Sequence, residues 1–329
     1  MGMQTKIITN NKLMLSLLSE IEMIRNSDCP VLIIGETGTG KELLADYIQS
    51  NSKRNEKKFV KVSLSSLPSS LFESELFGHE KGAYTGADHS RIGFFEAANH
   101  ATIYLDDIDD FPLHLQPKLL RVIENKELIR IGSNEPLPID TRIISSSKVE
   151  LKELIDNKNF RSDLFYRLSV FTLHLPPLRE RKDDIPLLFN YFLDHHKTPD
   201  EKLIKITNLN LEPLLDYSWQ GNVRELRNFS EKLTLYPESQ IYDNFENIFK
   251  DFVVEKNIKS NTPDRNDRTL QDNQSFEERV SLFEMKLISN ALERSYGNVN
   301  LSSKLLKIKP STLRDKIKKL NIDPSEFKI

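Results

Sequence analysis

Residues 35–42 carry the residue types that bind phosphate groups. The segment reads Gly-Glu-Thr-Gly-Thr-Gly-Lys-Glu and directly follows the apolar run 31–34. Glycines let the backbone turn tightly so that several N–H groups point to one place, and Lys41 adds a positive charge where a helix begins. The predicted nucleotide phosphate site consists of Gly35, Glu36, Thr37, Gly38, Thr39, Gly40, Lys41 and Glu42. A chance glycine-rich turn is the alternative, and the order of apolar run, loop and helical pattern disfavours it.

A pair of acidic residues ends another apolar run. Asp106 and Asp107 directly follow Ile-Tyr-Leu at 103–105. Beside a phosphate loop, one carboxylate can hold magnesium while the next orients the attacking water. We therefore predict ATP and Mg²⁺ as cofactors, with Asp106 and Asp107 at the metal site. Glu42 stands where many phosphate loops have Ser or Thr for magnesium, so that contact must be supplied differently.

Three arginines could complete a hydrolytic site. Arg161 and Arg167 lie in the segment 160–167, and Arg224 lies in 219–226. A guanidinium that reaches the γ-phosphate from a neighbouring subunit stabilises the charge of the transition state. Arginines at such spacing are more often surface ion pairs, so the residues alone leave both interpretations open.

The elements that position these residues follow from the hydrophobic pattern. Predicted strands cover 30–34, 59–64, 101–106, 139–146 and 170–175. Because helical patterns separate them, we predict an α/β fold whose parallel sheet carries helices on both faces. From about 178 to 250 the strand signal fades, and the spacing of apolar residues predicts a helical subdomain.

Composition bounds the class of protein. The chain has 329 residues and a net charge of −3, which suggests about two domains and does not decide for or against nucleic acid. The single cysteine, Cys29, excludes an internal disulfide and suits a reducing cytoplasm. No apolar stretch approaches the roughly 18 residues that a membrane span needs, and the N-terminus lacks a signal-peptide pattern. We expect a cytoplasmic protein with no membrane partner.

The C-terminal part has a different pattern. Residues 255–275 have few apolar side chains and predict a flexible linker. A long amphipathic helix over 276–291, a short helix over about 299–306 and a last helix that begins at Pro310 follow it. This order predicts a helix-turn-helix with Leu313, Ile317 and Leu320 facing inward.

The last segment is basic. Between residues 296 and 320 the local charge is +6. A solvated basic face is one interpretation, and the helix-turn-helix spacing favours double-stranded DNA. The predicted DNA-contacting residues are Lys309, Ser311, Thr312, Arg314, Asp315 and Lys318.

Together these segments resemble the bacterial enhancer-binding proteins, which are AAA+ ATPases that activate transcription by sigma-54 RNA polymerase. The most specific segment is 75–87, which ends in Gly-Ala-Tyr-Thr-Gly-Ala and matches the family's GAFTGA loop with Tyr84 in place of Phe. Further matches are the phosphate loop ending in Glu42 and the segments 116–122, 175–181 and 219–226. The C-terminal domain separately resembles a Fis-type helix-turn-helix.

The resemblance assigns roles. Lys41 binds the β- and γ-phosphates, Asp106 organises magnesium and Asp107 activates water. Arg161 and Arg167 reach the nucleotide of the neighbouring subunit, and Arg224 is the sensor arginine of the lid. Self-association would give dimers and a ring, expected to be a hexamer, in a nucleoid-associated bacterial protein. The loop that contacts the sigma-54 holoenzyme consists of Gly82, Ala83, Tyr84, Thr85, Gly86 and Ala87.

On this basis we predict four parts. The AAA+ α/β nucleotide-binding subdomain covers 1–175 and its helical lid covers 176–250. A flexible linker covers 251–274, and the Fis-type DNA-binding domain covers 275–329. Because fewer than ten residues precede the first matched segment, no N-terminal regulatory domain is expected. Control would then rest on a separate regulatory protein, on expression level, or on nucleotide and DNA.

The chain departs from the family pattern near the predicted γ-phosphate. Asp107 replaces Glu, and Ser63 replaces the Asn that bonds that Glu. Ser147 and Lys148 replace the Thr-Asn of the first sensor, and His100-Ala101 replaces a Gly-Gly pair. We predict that Ser63, Ser147 and Lys148 sense phosphate, and that Asp107 and Ser63 form a shortened pair that retains hydrolysis.

Two other functions remain open. The departures fit a DNA-binding regulator with an impaired ATPase that acts by occupancy. A general AAA+ remodelling ATPase without a role in transcription is the second alternative. The loop at 82–87 opposes both, and the basic C-terminal domain opposes the second.

Overall fold

A computed structural model describes residues 6–195 and 209–260, together with 284–285, 288–289, 291–292, 295, 297–306, 308–320 and 322–324. The chain divides into two compact units, residues 1–256 and 257–329. In the first unit the strands are β1 (Val31–Ile34), β2 (Phe59–Ser63), β3 (Thr102–Asp106), β4 (Glu127–Leu128), β5 (Leu137–Pro138), β6 (Arg142–Ser147) and β7 (Phe171–His174).

The helices of the first unit surround these strands. They are α1 (Lys12–Met23), α2 (Lys41–Ser50), α3 (Phe72–Phe77), α4 (Phe94–Ala97), α5 (Gln116–Asn125), α6 (Leu151–Asp156), α7 (Ser162–Leu168), α8 (Asp184–His195), α9 (Glu212–Asp216), α10 (Asn222–Leu233) and α11 (Glu238–Ser260). Short 3₁₀ turns lie at Leu64–Ser66, Ile108–Asp110, Leu113–Leu115 and Leu178–Glu180.

Five strands form a parallel sheet in the order β2-β3-β6-β1-β7. The predicted α/β class is confirmed. In β1, Val31 and Ile33 belong to one apolar core and Leu32 and Ile34 to the other, because successive side chains point to opposite faces. Both faces are therefore covered, and the carboxyl ends of the strands meet at one edge. The short antiparallel pair β4–β5 was not predicted from the sequence.

The lid forms a separate aromatic core. Trp219 and Phe229 are fully buried, and the ring of Phe249 packs against both, with ring centroids 5.8 and 5.0 Å away. The predicted linker from residue 251 is wrong at its start, because α11 continues to Ser260 and Phe252 is buried in the lid core. The polar composition of 255–260 is the reason that the sequence did not indicate the last part of this helix. Residues 261–274 of the predicted linker lie outside the described residues.

The second unit contains α12 (Val299–Leu305) and α13 (Pro310–Lys319). Asn298 caps α12, because its side chain accepts hydrogen bonds from the N–H groups of residues 300 and 301. Leu313 and Ile317 are buried against Ile288 and Leu292, with Leu320 partly buried beside them. The predicted short helix, last helix and inward face are confirmed, whereas most of 276–291 lies outside the described residues.

Candidate functional site

The phosphate loop lies at the carboxyl edge of the sheet, between β1 and α2. Gly40 precedes α2 with φ 105°, a left-handed conformation that favours glycine. The lid approaches the loop so closely that a Cβ added at Gly38 would lie 2.3 Å from the carbonyl oxygen of Gly221. The glycine at position 38 is therefore required by packing against the lid as well as by its φ of 81°.

Lys41 begins α2 and is 8% exposed. Its Nζ donates to the carbonyl oxygens of Gly35 at 2.8 Å and Glu36 at 3.3 Å. Burial lowers the pKa of Lys41, although the carboxylates of Asp106, Asp107 and Asp109 act in the opposite direction. Lys41 is thus a buried cation at the loop, directed toward the acidic end of β3.

Lid residues hold the outer side of the phosphate loop. The Asn222 Nδ2 donates to the carbonyl oxygen of Thr37 at 3.1 Å, and Arg181 Nη2 donates to that of Thr39 at 2.8 Å. The backbone N–H of Arg224 donates to the carbonyl of Gly38 at 3.2 Å. Within the part of the chain that the structure describes, the lid therefore contacts carbonyl groups of the loop and takes none of its N–H groups, of which those of Gly35 and Thr39 donate to other carbonyls of the protein.

Glu36 adds a charged link between loop and lid. Its carboxylate accepts two hydrogen bonds from Arg179, at 2.6 and 2.8 Å, and one from Asn222 at 3.1 Å. The hydrogen bonds from Arg179 lower the pKa of Glu36 below its ordinary value. Arg179, Arg181 and Asn222 were not among the predicted site residues, although the segments that contain them were singled out.

An apolar cavity of about 150 Å³ lies between the loop, the N-terminal segment and α8. It was missed in the sequence because its lining comes from distant segments of ordinary apolar character. Its lining residues include Ile7, Ile8, Leu44, Leu188 and Phe192.

The acidic end of β3 lies beside the carboxyl end of β6. Asp106 Oδ1 accepts a hydrogen bond from the Tyr104 hydroxyl at 2.7 Å and another from Ser146 Oγ. Asp107 has a left-handed backbone, with φ 58°, and its N–H donates to Ser146 Oγ at 3.2 Å. Burial raises the pKa of Tyr104 above its ordinary range, so its hydroxyl remains a proton donor.

The structure differs from the predicted Ser63–Asp107 pair. Ser65 Oγ donates to Asp107 Oδ2 at 3.1 Å, whereas Ser63 Oγ lies 3.3 Å from Ser65 Oγ. The strand register places Ser63 beside Asp106, and the 3₁₀ turn that follows β2 brings Ser65 to the next carboxylate. Ser63 is therefore linked to Asp107 only through the hydroxyl of Ser65. The spacing of residues in a strand does not predict the contact between Ser65 and Asp107.

The predicted phosphate sensors are also held by local contacts. Ser147 Oγ donates to the carbonyl of Val149 at 2.6 Å, and Lys148 Nζ pairs with Asp110 at 2.8 Å and Asp109 at 3.3 Å. Ser146, one residue earlier, instead contacts the Asp106 carboxylate and the backbone N–H of Asp107. A role of Ser147 and Lys148 in sensing phosphate stays a prediction.

The predicted neighbour-directed arginines lie at the two ends of α7. Arg161 forms a two-bonded ion pair with Asp163, at 3.1 and 2.8 Å, and Arg167 bonds Glu124 at 2.5 Å. The Arg167 side chain is 59% exposed, and Arg161 is also exposed. Both cations are therefore accessible to a second subunit, and each would exchange a local carboxylate for another anion. Arg224 is exposed beside the phosphate loop.

The segment 82–87 forms a compact turn that is exposed at residues 82 and 84–86, whereas Ala87 is buried. Gly82 and Gly86 have φ values of 81° and 100°, and the N–H of Gly82 donates to the carbonyl of Ala87 at 2.9 Å. Tyr84 is 41% exposed, and its ring packs edge-on against His79 with centroids 5.2 Å apart. The exposed ring of Tyr84 is thus held in place by the backbone hydrogen bond across the turn and by the contact with His79.

The predicted DNA-contacting residues share a surface position. Those on α13 and at its start are exposed, whereas Leu313 and Ile317 face the core. The exposed set comprises Lys309, Ser311, Thr312, Arg314, Asp315 and Lys318.

The acidic pair can accommodate a divalent cation. Mg²⁺ usually takes one or two carboxylates together with phosphate and water oxygens. Among the described residues, Asp106 Oδ2 and Asp107 Oδ1 accept no protein hydrogen bond, so each has lone pairs for a cation. Glu42 is paired with Lys61 Nζ at 2.9 Å, away from such a role.

Family models match three consecutive segments. The sigma-54 interaction domain matches residues 7–174, and the AAA+ ATPase lid domain matches 179–261. The bacterial regulatory protein, Fis family, matches 279–320. This chain belongs to the sigma-54 interaction domain family. The predicted resemblance to sigma-54 activators with an AAA+ domain, a lid and a Fis-type helix-turn-helix is confirmed.

Relatives of this sigma-54 interaction domain protein include a transcriptional activator and a regulatory protein. The formate hydrogenlyase transcriptional activator FhlA of Escherichia coli K12 is 46% identical over 72% of this chain. The regulatory protein AtoC of the same strain is 39% identical over 97% of this chain and is covered over 68% of its own length. The chain spans 34% of the length of FhlA.

Among solved structures, NtrX from Brucella abortus in complex with ATP has a TM-score of 0.67 and 27% identity, with 96% of this chain and 69% of that chain covered. Within the described residues, no helix is both long enough and apolar enough to cross a membrane.

Proposed function

We propose that this chain is an ATP-hydrolysing transcriptional activator that binds upstream DNA and remodels the sigma-54 RNA polymerase holoenzyme to open promoters. The observation that carries the proposal is the turn at 82–87, in which Tyr84 is accessible, in the same unit as the phosphate loop and the acidic pair. A remodelling ATPase needs both a nucleotide site and a contact surface for its partner.

ATP binding would use the inner side of the phosphate loop. The N–H groups of the loop other than those of Gly35 and Thr39, which bond protein carbonyls, the start of α2 and the Lys41 ammonium attract the phosphates. The cavity beside Ile8 and Leu188 has the apolar lining that a nucleobase requires. Asp106 and Asp107 would hold Mg²⁺, which neutralises phosphate charge when bound.

Hydrolysis would proceed by attack of a water molecule on the γ-phosphate. Asp107 accepts a hydrogen bond from that water and orients it, while Lys41 stabilises the charge of the phosphate oxygens. Arg167 and Arg161 would come from a neighbouring subunit, since both lie exposed at the ends of α7. Because each subunit would supply its arginines to the next, we propose a ring, and specifically a hexamer.

The free energy of ATP hydrolysis would drive movement of the turn at 82–87. A change at the phosphate site moves Gly82–Ala87 against sigma-54, while α13 places Arg314 and Lys318 on DNA. A separate regulatory protein is a further proposed partner. The reaction would take place in the cytoplasm, at the nucleoid.

The proposal is tested by Thr85→Ala. We expect ATPase activity near that of the wild type and loss of promoter opening in a purified transcription assay with sigma-54 holoenzyme. The matched control is His89→Ala, an exposed position just beyond the turn that should leave both activities unchanged. Promoter opening by Thr85→Ala at the wild-type level would contradict the proposal.

A regulator that acts by DNA occupancy is the second candidate. It is favoured by the position of Ser147 Oγ, which is bonded to Val149 rather than to either carboxylate. For this candidate the wild-type chain binds DNA and nucleotide but does not hydrolyse ATP.

A further inference from the structure

Two buried hydroxyl groups converge on one carboxylate oxygen at the acidic end of β3. Tyr104, which is 1% exposed, donates to Asp106 Oδ1 at 2.7 Å, and Ser146, which is fully buried, donates to the same oxygen. Tyr104 and Asp106 lie two residues apart and therefore share a face of β3. The register pairs Tyr104 with Ile144, so Ser146 falls on that face of β6 beside Asp106.

These hydrogen bonds make the two carboxylate oxygens of Asp106 different. Oδ1 accepts from both hydroxyls, whereas Oδ2 accepts no hydrogen bond from the described residues. Two donors on one oxygen fix the rotation of the carboxylate, because a turn about its terminal torsion would break both. Asp106 is thereby held with one oxygen available to a cation.

Ser146 also reaches the second acidic residue. Its Oγ accepts from the N–H of Asp107 at 3.2 Å while donating to Asp106. Asp107 has φ 58°, a conformation that is strained for a residue with a Cβ and persists only where neighbouring contacts support it. One hydroxyl thus orients the first carboxylate and supports the backbone of the second.

We infer that Ser146 and Tyr104 are positioning residues for the metal-linked binding of ATP, and that Ser146 couples the orientation of Asp106 to the backbone of Asp107. The inference rests on the proposed function, since it assumes that this pair of carboxylates holds Mg²⁺ beside a nucleotide.

The neighbouring serines provide a built-in contrast. Ser145, Ser146 and Ser147 are all fully buried. Ser145 Oγ donates to the carbonyl of Val31 at 3.4 Å and Ser147 Oγ donates to that of Val149 at 2.6 Å. Of this triplet, only the middle serine contacts the Asp106 carboxylate and the backbone N–H of Asp107. Ser145→Ala therefore removes a buried strand hydroxyl of the same size and leaves the carboxylates untouched.

The test measures affinity rather than turnover. ATP dissociation constants of the full chain are measured by calorimetry, with Mg²⁺ and with a chelator, and their ratio gives the gain in affinity that the metal provides. We expect Ser146→Ala to reduce this ratio about 10-fold, the usual scale for removing an outer-shell partner of a metal ligand. Tyr104→Phe should reduce it less, and Ser145→Ala should leave it at the wild-type value. Affinity in chelator should be unchanged in all three.

A double variant sharpens the result. Because both hydroxyls bond the same oxygen, the effects of Ser146→Ala and Tyr104→Phe should not add. Tyr104→Phe keeps the buried ring and so preserves packing if Ser146→Ala folds poorly. The inference would be overturned if folded Ser146→Ala and Tyr104→Phe kept the wild-type ratio of dissociation constants. It would also be overturned if Ser145→Ala reduced that ratio as much as they do. Either result would leave the proposed function standing. A wild-type chain that binds no ATP would overturn the proposed function together with the inference.

Discussion

The phosphate loop and the acidic end of β3 are held in place in different ways. The lid supports the loop through backbone carbonyls of residues 37–39 and through the ion pair between Glu36 and Arg179. The acidic pair is held by the small hydroxyls of Ser65 and Ser146 and by Tyr104. Hydrogen bonds to backbone carbonyls depend on the path of the loop backbone, whereas bonds from short side chains are changed by single substitutions. Two of the predicted departures from the family pattern, Asp107 and Ser63, lie in the second region.

Within this comparison, the largest expected effects separate ATP binding by the phosphate loop from hydrolysis at the acidic pair. Lys41→Ala should lower ATP affinity roughly 10- to 100-fold, since it removes a charged donor to phosphate. Asp107→Asn should lower ATP affinity less than Lys41→Ala does, because Asp106 still holds the metal, and should lower the hydrolysis rate about 100-fold or more, since it removes the group that orients water. Calorimetry and a steady-state phosphate-release assay on both variants measure the difference. Equal losses of affinity in both variants would show that the regions are not separable.

A smaller effect distinguishes the two serines near Asp107. Ser65→Ala should lower the hydrolysis rate about 2- to 10-fold, the scale of one hydrogen bond, because Ser65 contacts the carboxylate directly. Ser63→Ala should have a smaller effect, because its hydroxyl reaches Asp107 only through Ser65. The same phosphate-release assay decides between them. A larger loss in Ser63→Ala would restore the direct pair predicted from the sequence.

The smallest expected effect concerns the link between loop and lid. The bonds from Arg179 place the folded-state pKa of Glu36 below its ordinary value of 4.5. The ion pair therefore stabilises the fold at pH values above about 4.5, and this contribution is lost as the pH falls through the lower folded-state pKa. Both side chains are about two-fifths exposed, so solvent screening limits the effect to about 0.2–1 kcal/mol.

Urea unfolding of the wild type and of Glu36→Gln at pH 7 and pH 3 measures this effect. The variant should be less stable at pH 7, and the difference should shrink at pH 3. A difference that stays constant between the two pH values would mean that the charge of Glu36 contributes nothing to the link.

The sequence predicted the fold well because hydrophobic pattern and strand order determine it. The five central strands lie within about three residues of the predicted ranges. The end of the lid was placed too early because α11 has a polar last part, whereas its buried aromatic residues stabilise the whole helix. Composition indicates whether a segment can form a core alone, but not whether it extends a helix that already packs elsewhere.

The site was predictable to the extent that residue type determines chemistry. The phosphate loop and the acidic pair both lie at the carboxyl edge of the sheet, as their positions after strands indicated. The contacts of Ser65, Ser146 and Arg179 were missed because they depend on the path of a turn, the face of a strand and the docking of the lid. Serine has many structural roles, so its type alone predicts none of these contacts.

Whether catalysis is shared between subunits is tested most directly by the ATPase rate per subunit as a function of protein concentration, with magnesium present. The specific rate should rise with concentration and should fall about 1,000-fold in Arg167→Ala, since the arginine would act in a neighbouring subunit. Arg227→Ala is the matched control, because both arginines have side chains 59% exposed and each pairs with a glutamate. A specific rate independent of concentration, or unchanged in Arg167→Ala, would contradict catalysis shared between subunits.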